Sequence, residues 1–134
     1  ERAIAIDPMN GRAWNNSANI YRSENRLDEA EKAYLEAIKI APSYADPLNG
    51  LGVLEVQRNR PAQAIRFFDR ALKLSPEFHE VLLNRGIALE VMGDRIGAAN
   101  EYRKFLKAVG EDPRFAKQRR AAGALLSRIA PRPS

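Results

Sequence analysis

The feature that most constrains the fold of this chain is a 34-residue interval at which similar residues recur. Prolines form one such series, at Pro8, Pro42 and Pro76. Three further series at this interval are Trp14, Leu48 and Leu82, then Ala30, Ala64 and Ala98, then Tyr34, Phe68 and Tyr102. Agreement at several places within one period indicates a repeat array, in which each unit buries its apolar face by stacking on a neighbour.

Each period divides into two predicted helices. In the first period, one helix runs through residues 14–21 and the other from about Asp28 to Ile40. The breaks between paired helices fall at residues that tolerate a left-handed backbone, namely Asn25, Asn59 and Gly93. Pro61 suits the first turn of the helix after the second break, and Asp94 suits the N-cap after the third.

Small residues at fixed places predict close approach of the paired helices. The first helices share one small site, occupied by Ala18, Gly52 and Gly86. The second helices combine an alanine with an aromatic ring four residues later, as in Ala30 and Tyr34. Such alternation of small and large side chains fits antiparallel helix hairpins packed in a row.

These residues resemble the tetratricopeptide repeat family, whose pattern is W-x2-L-G-x2-Y, then A-x3-F, an alanine and a closing proline. Unit 1, residues 11–44, matches at Trp14, Tyr21, Ala30, Tyr34, Ala37 and Pro42. Unit 2, residues 45–78, matches at Leu51, Gly52, Ala64, Phe68, Ala71 and Pro76. Unit 3, residues 79–112, is degenerate and matches at Gly86, Ala98 and Tyr102. The resemblance implies an all-α, right-handed solenoid of helix hairpins.

Both ends of the chain differ from these units. Residues 1–10 parallel the end of unit 1, so we expect them to be the tail of a truncated preceding repeat and the chain to be a fragment. Residues 113–130 place Phe115, Ala122, Leu126 and Ile129 on one helical face, which predicts a capping helix. Residues 131–134 read as a disordered tail.

Composition argues against several kinds of chemistry. The chain has no cysteine, which excludes disulfides and thiolate metal sites and mildly favours a cytoplasmic location. Its one histidine, His79, lacks the second histidine of a zinc-protease motif. No nucleophile–base arrangement or phosphate-binding glycine loop is visible, so we expect neither an enzyme nor a cofactor.

Positive charge is concentrated at the C-terminal end. The whole chain carries +5, and residues 113–134 alone carry six cations and no acidic residue. Such a segment could bind nucleic acid or an anionic membrane. Because its only aromatic residue is Phe115, a solvated cap is the preferred interpretation, and neither nucleic acid nor a membrane is an expected partner.

The resemblance implies a concave wall lined by the first helices, where these proteins bind their partners. Carrying the pattern over gives the candidate residues Asn15, Asn16, Asn19, Arg22, Asn49, Val53, Val56, Gln57, Leu83, Asn84 and Ile87. Asparagine has poor helix propensity, but its amide offers a donor and an acceptor that match a peptide backbone. Val53, Leu83 and Ile87 are expected to be exposed in an empty groove. We therefore predict a protein-interaction scaffold that holds an extended peptide or a partner's helix.

Alternatives remain open at this point. The asparagines are similar to the ladder in the repeats of O-linked glycosyltransferases, although Gly50 interrupts it, so the chain could be a substrate-positioning adaptor of a larger enzyme. Self-association through an exposed terminal repeat is a further possibility. The carboxylate clamp of chaperone-binding family members is not expected, since only Asn19 matches it and Glu80 would repel a carboxylate.

Overall fold

The computed structural model describes residues 8–129, all of whose regular structure is helical. The α-helices are α1 (Pro8–Ser23), α2 (Leu27–Ile40), α3 (Asp46–Gln57), α4 (Pro61–Leu74), α5 (His79–Val91), α6 (Arg95–Val109) and α7 (Ala116–Ile129), with a 3-10 turn at Pro113–Phe115. The predicted tail 131–134 and most of the predicted truncated repeat 1–10 lie outside the described residues.

Neighbouring helices pair as hairpins and stack in chain order. Contacts are most extensive within the pairs α1–α2, α3–α4 and α5–α6. The pairs are joined by packing of α2 on α3 and of α4 on α5, while α1 touches α3 and α3 touches α5. This arrangement confirms the predicted all-α solenoid of helix hairpins. None of the helices between Pro8 and Ile129 is both long and apolar enough to cross a bilayer.

The breaks inside the hairpins have the predicted left-handed backbone. The φ angles are 63° at Asn25, 61° at Asn59 and 90° at Gly93. After each break an N–H bonds back to the carbonyl five residues earlier, as from Arg26 to Tyr21 at 2.8 Å. Asp94 caps α6 by accepting a bond from the Gly97 amide at 2.9 Å, as the sequence predicted.

The small sites lie directly beneath the buried aromatic rings. A Cβ added at Gly52 would overlap the Phe68 ring, and one added at Gly86 would overlap the Tyr102 ring. Unit 1 has Ala18 at this site, in the same buried cluster as Tyr34. The predicted role of small residues in close helix approach is confirmed.

The Tyr34 ring also reaches the next unit. A Cβ at Gly50 of α3 would overlap this ring and its hydroxyl oxygen. A residue larger than glycine therefore does not fit at Gly50, because the Tyr34 ring occupies the space that a side chain would fill. This packing explains the interruption of the asparagine ladder at Gly50.

Position in the array decides how far an equivalent residue is buried. Leu48 is 3% exposed because Ile38 of the preceding helix α2 packs against its cluster. Trp14 holds the same place in unit 1 and is 39% exposed. Equivalent places in units 1 and 2 therefore differ in burial.

Ion pairs tie the hairpins together at their outer edges. Arg58, at the end of α3, donates to Glu31 at 2.9 Å and to Asp28 at 2.7 Å on α2, and to Glu55 at 3.0 Å. Arg85 of α5 bonds to Asp69 of α4 at 2.9 Å. Because only 13% of the Arg58 side chain is exposed, this cluster holds unit 2 against unit 1.

The C-terminal helix caps the array but begins later than predicted. Ala122 is fully buried, and Phe115, Leu126 and Ile129 pack against the last core cluster, together with Leu125. The sequence predicted one helix from residue 113, whereas residues 113–115 form a 3-10 turn. Asp112 caps this turn by accepting a bond from the Arg114 amide at 3.0 Å.

Candidate peptide-binding site

Helices α1, α3 and α5 present corresponding stripes of side chains, which together we call the groove face. The members of a stripe are three, seven and ten residues after its first residue, a spacing that keeps them on one side of a helix. The stripes are Arg12, Asn15, Asn19 and Arg22 on α1; Asp46, Asn49, Val53 and Val56 on α3; and Glu80, Leu83, Ile87 and Glu90 on α5. Asn16, Gly50 and Asn84 lie beside them at a further shared place.

Two asparagines join the second and third stripes. Asn84 of α5 donates from Nδ2 to Oδ1 of Asn49 on α3 at 2.9 Å, and both side chains are half-buried. This bond leaves a donor, Asn49 Nδ2, and an acceptor, Asn84 Oδ1, without a partner in the described part of the chain. The pair can therefore offer one donor and one acceptor to a further polar group.

A tyrosine of α2 enters the groove face at α1. The Tyr34 hydroxyl accepts a bond from Arg22 Nε at 2.9 Å and donates to Asn19 Oδ1. Burial raises the pKa of Tyr34, and the neighbouring Arg22 guanidinium opposes part of this rise. The Arg22 Nη groups make no bond within residues 8–129.

The equivalent tyrosine of unit 3 meets an acid instead. Tyr102 donates to Glu90 Oε1 at 2.8 Å, and Arg128 of the capping helix donates to Glu90 Oε2. Burial raises the pKa of Tyr102 strongly, and the Glu90 carboxylate raises it further. The charge of Glu90 is thus balanced within the fold by the cap.

Asn15 is the most enclosed polar residue of the α1 stripe. Its side chain is 5% exposed, and its Oδ1 has no hydrogen-bond partner among the described residues. Its amide lies near Tyr44, whose pKa is raised mainly by burial, and the Asn15 contact opposes that rise. Because this oxygen is itself buried, a ligand could reach it only if the neighbouring side chains moved.

The apolar candidates are less accessible than expected. The expectation of exposure is wrong for Leu83, which is 7% exposed in the cluster that contains Tyr102 and Phe105. Val53 and Ile87 are half-buried because each packs against a core cluster. Val56 is half-buried in the same way, whereas Asn16 and Gln57 are exposed.

Sequence reasoning missed the tyrosines and Glu90 as parts of the groove face. A signal for them exists at a spacing of 12 residues, which pairs Arg22 with Tyr34, Val56 with Phe68, and Glu90 with Tyr102. A ring hydroxyl occurs where the partner is charged, and a bare ring occurs where the partner is valine. The arrangement follows because a buried hydroxyl needs a polar neighbour.

Three of the five C-terminal cations that the structure describes make bonds to other described residues. Arg114 bonds to Asp112, Arg119 donates to the backbone oxygens of Gly110 and Asp112, and Arg128 bonds to Glu90. Lys117 and Arg120 remain exposed, and Arg132 lies outside the described residues. From Pro8 to Ile129, no three His, Asp or Glu side chains converge as a metal site.

Comparison with known families identifies the repeat. A family profile described as "Tetratricopeptide repeat" matches residues 10–77, and a second profile with the same description matches residues 49–114. Together they extend over all six helices of the hairpins. The matches include every residue of the groove-face stripes.

Two curated proteins are distant relatives of this chain in sequence. Type IV pilus assembly protein PilF of Pseudomonas aeruginosa is 28% identical over 115 residues, covering 84% of this chain and 46% of that protein. Protein O-mannosyl-transferase TMTC3 of Homo sapiens is 25% identical over 113 residues, covering 84% of this chain and 12% of that protein. The chain thus spans less than half the length of either relative.

Solved structures share the fold. The first repeat domain of Spaghetti (RPAP3), bound to the HSP90 peptide SRMEEVD, is 17% identical with a TM-score of 0.75, covering 93% of this chain and 99% of that one. The TPR2B domain of yeast Sti1, in a complex with pHsp70, is 18% identical with a TM-score of 0.82, covering 90% of this chain and 96% of that one. At this identity the likeness establishes the arrangement of helices.

Proposed function

This chain belongs to the tetratricopeptide repeat family, and on that premise we propose that it is a non-catalytic protein-interaction scaffold. Its groove face binds an extended peptide. The partner's backbone crosses α1, α3 and α5, the asparagines bond its polar groups, and the half-buried aliphatic residues contact its apolar side chains.

The observation that carries this proposal is the bond between Asn49 and Asn84. An amide pair fixed across two helices holds an unbonded donor group, Asn49 Nδ2, and an unbonded acceptor atom, Asn84 Oδ1, on the same surface. A peptide group in an extended chain presents the complementary acceptor and donor. Because the two asparagines orient each other, little side-chain entropy is lost when the peptide binds.

A solved domain with this helix arrangement is bound to a peptide. The RPAP3 domain holds an HSP90 peptide, which supports peptide binding by this chain without indicating the same peptide. Here the positions of the carboxylate clamp hold Asn15 and Asn19, Gly50, and Glu80 and Asn84, of which only Asn19 matches. We therefore expect the free peptide SRMEEVD to bind weakly, and a micromolar affinity measured by calorimetry would contradict that expectation.

The test is selection of peptides on the intact chain. A phage library of random 12-residue peptides is panned on the wild type, and the enriched sequences are synthesised with both termini blocked. We expect the double substitution Asn49→Ala and Asn84→Ala to raise their Kd about tenfold, since two hydrogen bonds are lost. Calorimetry measures each Kd, and unfolding curves establish that the variant is folded.

Asn100→Ala is the matched control, because Asn100 is an exposed asparagine on α6 and away from the groove face. It is expected to leave each Kd unchanged. The proposal fails if the selected peptides bind the double variant and the wild type equally well. Peptides that become helical when bound, as seen by NMR, would show that the groove takes a helix.

A second candidate function is substrate positioning within a larger glycosyltransferase. It is favoured by the Asn49–Asn84 pair and by the match to a region of an O-mannosyl-transferase. The complete reading frame is the test, because this candidate requires a transferase domain in the same polypeptide. If one is present, the double asparagine variant should lower transfer to polypeptide substrates, while Asn100→Ala should not.

A further inference from the structure

We propose that the groove face selects peptides by their order of charge, with a carboxylate side chain bound at α1 and a cation bound between α3 and α5. This inference rests on the proposed function and adds the chemical class of the partner. Its basis is the unequal distribution of charge along the three stripes.

The α1 end of the groove face is basic throughout. Helix α1 contains Arg12 and Arg22 and no acidic residue. The Arg22 guanidinium is half-buried and is oriented by its Nε bond to Tyr34, while both Nη groups remain available. A guanidinium that is already oriented and partly desolvated is well suited to bind a carboxylate through two parallel hydrogen bonds.

Helices α3 and α5 carry acids at the place where α1 has Arg12. Asp46 of α3 and Glu80 of α5 occupy that place 34 residues apart in the chain. Glu80 makes no hydrogen bond or ion pair with another described residue, and Asp46 receives only a 3.4 Å bond from Tyr44. Glu90 does not contribute in the same way because Arg128 balances its charge.

The distance between the two ends fixes the spacing of charges in the partner. Packed helices lie about 10 Å apart, so a site between α3 and α5 lies about 15 Å from α1 across the groove face. Arg22 also lies ten residues further along its helix than the place of Asp46 and Glu80, about 15 Å at 1.5 Å per residue, so the two sites are about 21 Å apart. An extended chain advances about 3.3–3.6 Å per residue, so about six residues cover that distance. Val53 and Val56 lie between the ends, so apolar side chains are favoured in the middle of the peptide.

Four libraries of blocked seven-residue peptides test the inference on the intact chain. Their end residues are Glu and Lys, Lys and Glu, Glu and Glu, or Lys and Lys, with five randomised residues between them. We expect one of the two mixed-charge libraries to bind at least tenfold more tightly than either single-charge library, as measured by fluorescence anisotropy. Equal binding of all four would overturn the inference, and the preferred mixed order gives the direction of the bound chain.

Substitutions assign the two ends. Arg22→Gln should weaken the preferred library about tenfold, whereas Arg66→Gln, an exposed arginine on α4, should not. Since Arg22 also bonds Tyr34, Glu80→Gln is the second variant, because Glu80 has no internal bond to lose. It should weaken the same library, whereas Glu111→Gln, at an exposed site outside the groove face, should not.

The two proposals fail in distinguishable ways. If Asn49→Ala with Asn84→Ala weakens binding but the charge variants do not, the groove binds peptides without discriminating between their charges. In that case only the proposed selection by charge order is wrong. If Arg22→Glu shifts preference to the library with lysine at both ends, the carboxylate site is assigned directly to Arg22. Raising the salt concentration should reduce the charge preference, since the site is open to solvent.

Discussion

The outer hairpins and the central hairpin solve the same packing problem with different chemistry. In units 1 and 3 the buried ring is a tyrosine whose hydroxyl bonds to Arg22 or to Glu90. In unit 2 the ring is Phe68, and the corresponding residue is Val56, which packs against the same cluster. All three rings are fully buried. The three units therefore share the shape of their core. They differ in the ring hydroxyl, which is present where the groove face has a charged residue and absent where it has a valine.

This comparison connects the core with the binding surface. A hydroxyl on the buried ring reaches the groove face and fixes a charged side chain there. A ring without a hydroxyl leaves that part of the groove face apolar. The order of hydroxyl, no hydroxyl, hydroxyl thus accompanies charged residues at Arg22 and Glu90 and an aliphatic residue at Val56 between them.

The largest expected effect comes from restoring the interrupted ladder by Gly50→Asn. Because the Tyr34 ring occupies the space of a Cβ at this site, the substitution should lower the free energy of unfolding by about 3 kcal/mol. Ala18→Gly would make room beneath the ring and should recover part of the loss. Urea unfolding of the single and double variants measures both effects, and an unchanged stability of Gly50→Asn would refute the packing explanation.

The next prediction compares the small site of units 1 and 2. Gly52→Ala copies the residue found at Ala18 but should destabilise the fold by about 2 kcal/mol, because the new Cβ overlaps the Phe68 ring. Gly123→Ala in α7 is the control, since its Cβ would meet open space. It should increase stability by about 0.5–1 kcal/mol through helix propensity. Thermal unfolding that ranks the two variants in the reverse order would contradict this account.

A transplanted hydroxyl tests the link between ring and groove. Phe68→Tyr places a hydroxyl against Val53 and Val56, where no polar partner is available, and should cost about 1–2 kcal/mol. Adding Val56→Arg recreates the Arg22–Tyr34 arrangement of unit 1 and should recover most of that loss. If the double variant loses more free energy of unfolding than the two single variants lose together, the 12-residue pairing does not determine stability.

The smallest effect sharpens the comparison between the outer hairpins. The pKa of Tyr102 is raised by burial and by Glu90, whereas Arg22 opposes the rise at Tyr34. Tyr102 should therefore ionise at higher pH than Tyr34, and Glu90→Gln should reduce the difference between the two pKa values. Titration of ring-labelled tyrosine by NMR measures this order, and a reversed order would contradict it.

The sign of the linked stability follows from the direction of these shifts. A phenol whose pKa is higher in the folded state contributes stability that is complete below its unfolded pKa of about 10. That contribution is lost as the pH rises through the folded pKa. The free energy of unfolding of Tyr102→Phe should therefore fall less steeply than that of the wild type as the pH rises above about 10.

Much of the fold could be predicted because the period repeats the same local signals. The left-handed residues, Asp94 as an N-cap and the glycines beneath the rings all lie where the sequence placed them. These features depend on the backbone conformation or on the volume of one residue and its close neighbours. Where backbone conformation or side-chain volume decided the outcome, the sequence was sufficient.

The groove face was predicted less completely because it lies between hairpins. Leu83 was expected to be exposed, but it is buried in a cluster to which the capping helix contributes Ala122. The bond from Asn84 to Asn49 and the approach of Tyr34 to Gly50 join residues of different units. The 34-residue period identifies equivalent places but gives no measure of how closely two units approach.

By itself the sequence determined the number of hairpins, their breaks and the family, because each follows from the volume or backbone preference of residues at a constant interval. Only the tertiary structure decided which groove residues are free to bind. Arg22 and Glu90 occupy equivalent places, yet Arg22 retains two unbonded nitrogens while Glu90 is balanced by Arg128 of the cap. That difference depends on contacts between helices distant in the chain, since a charge is available to a partner only where the fold leaves it unpaired.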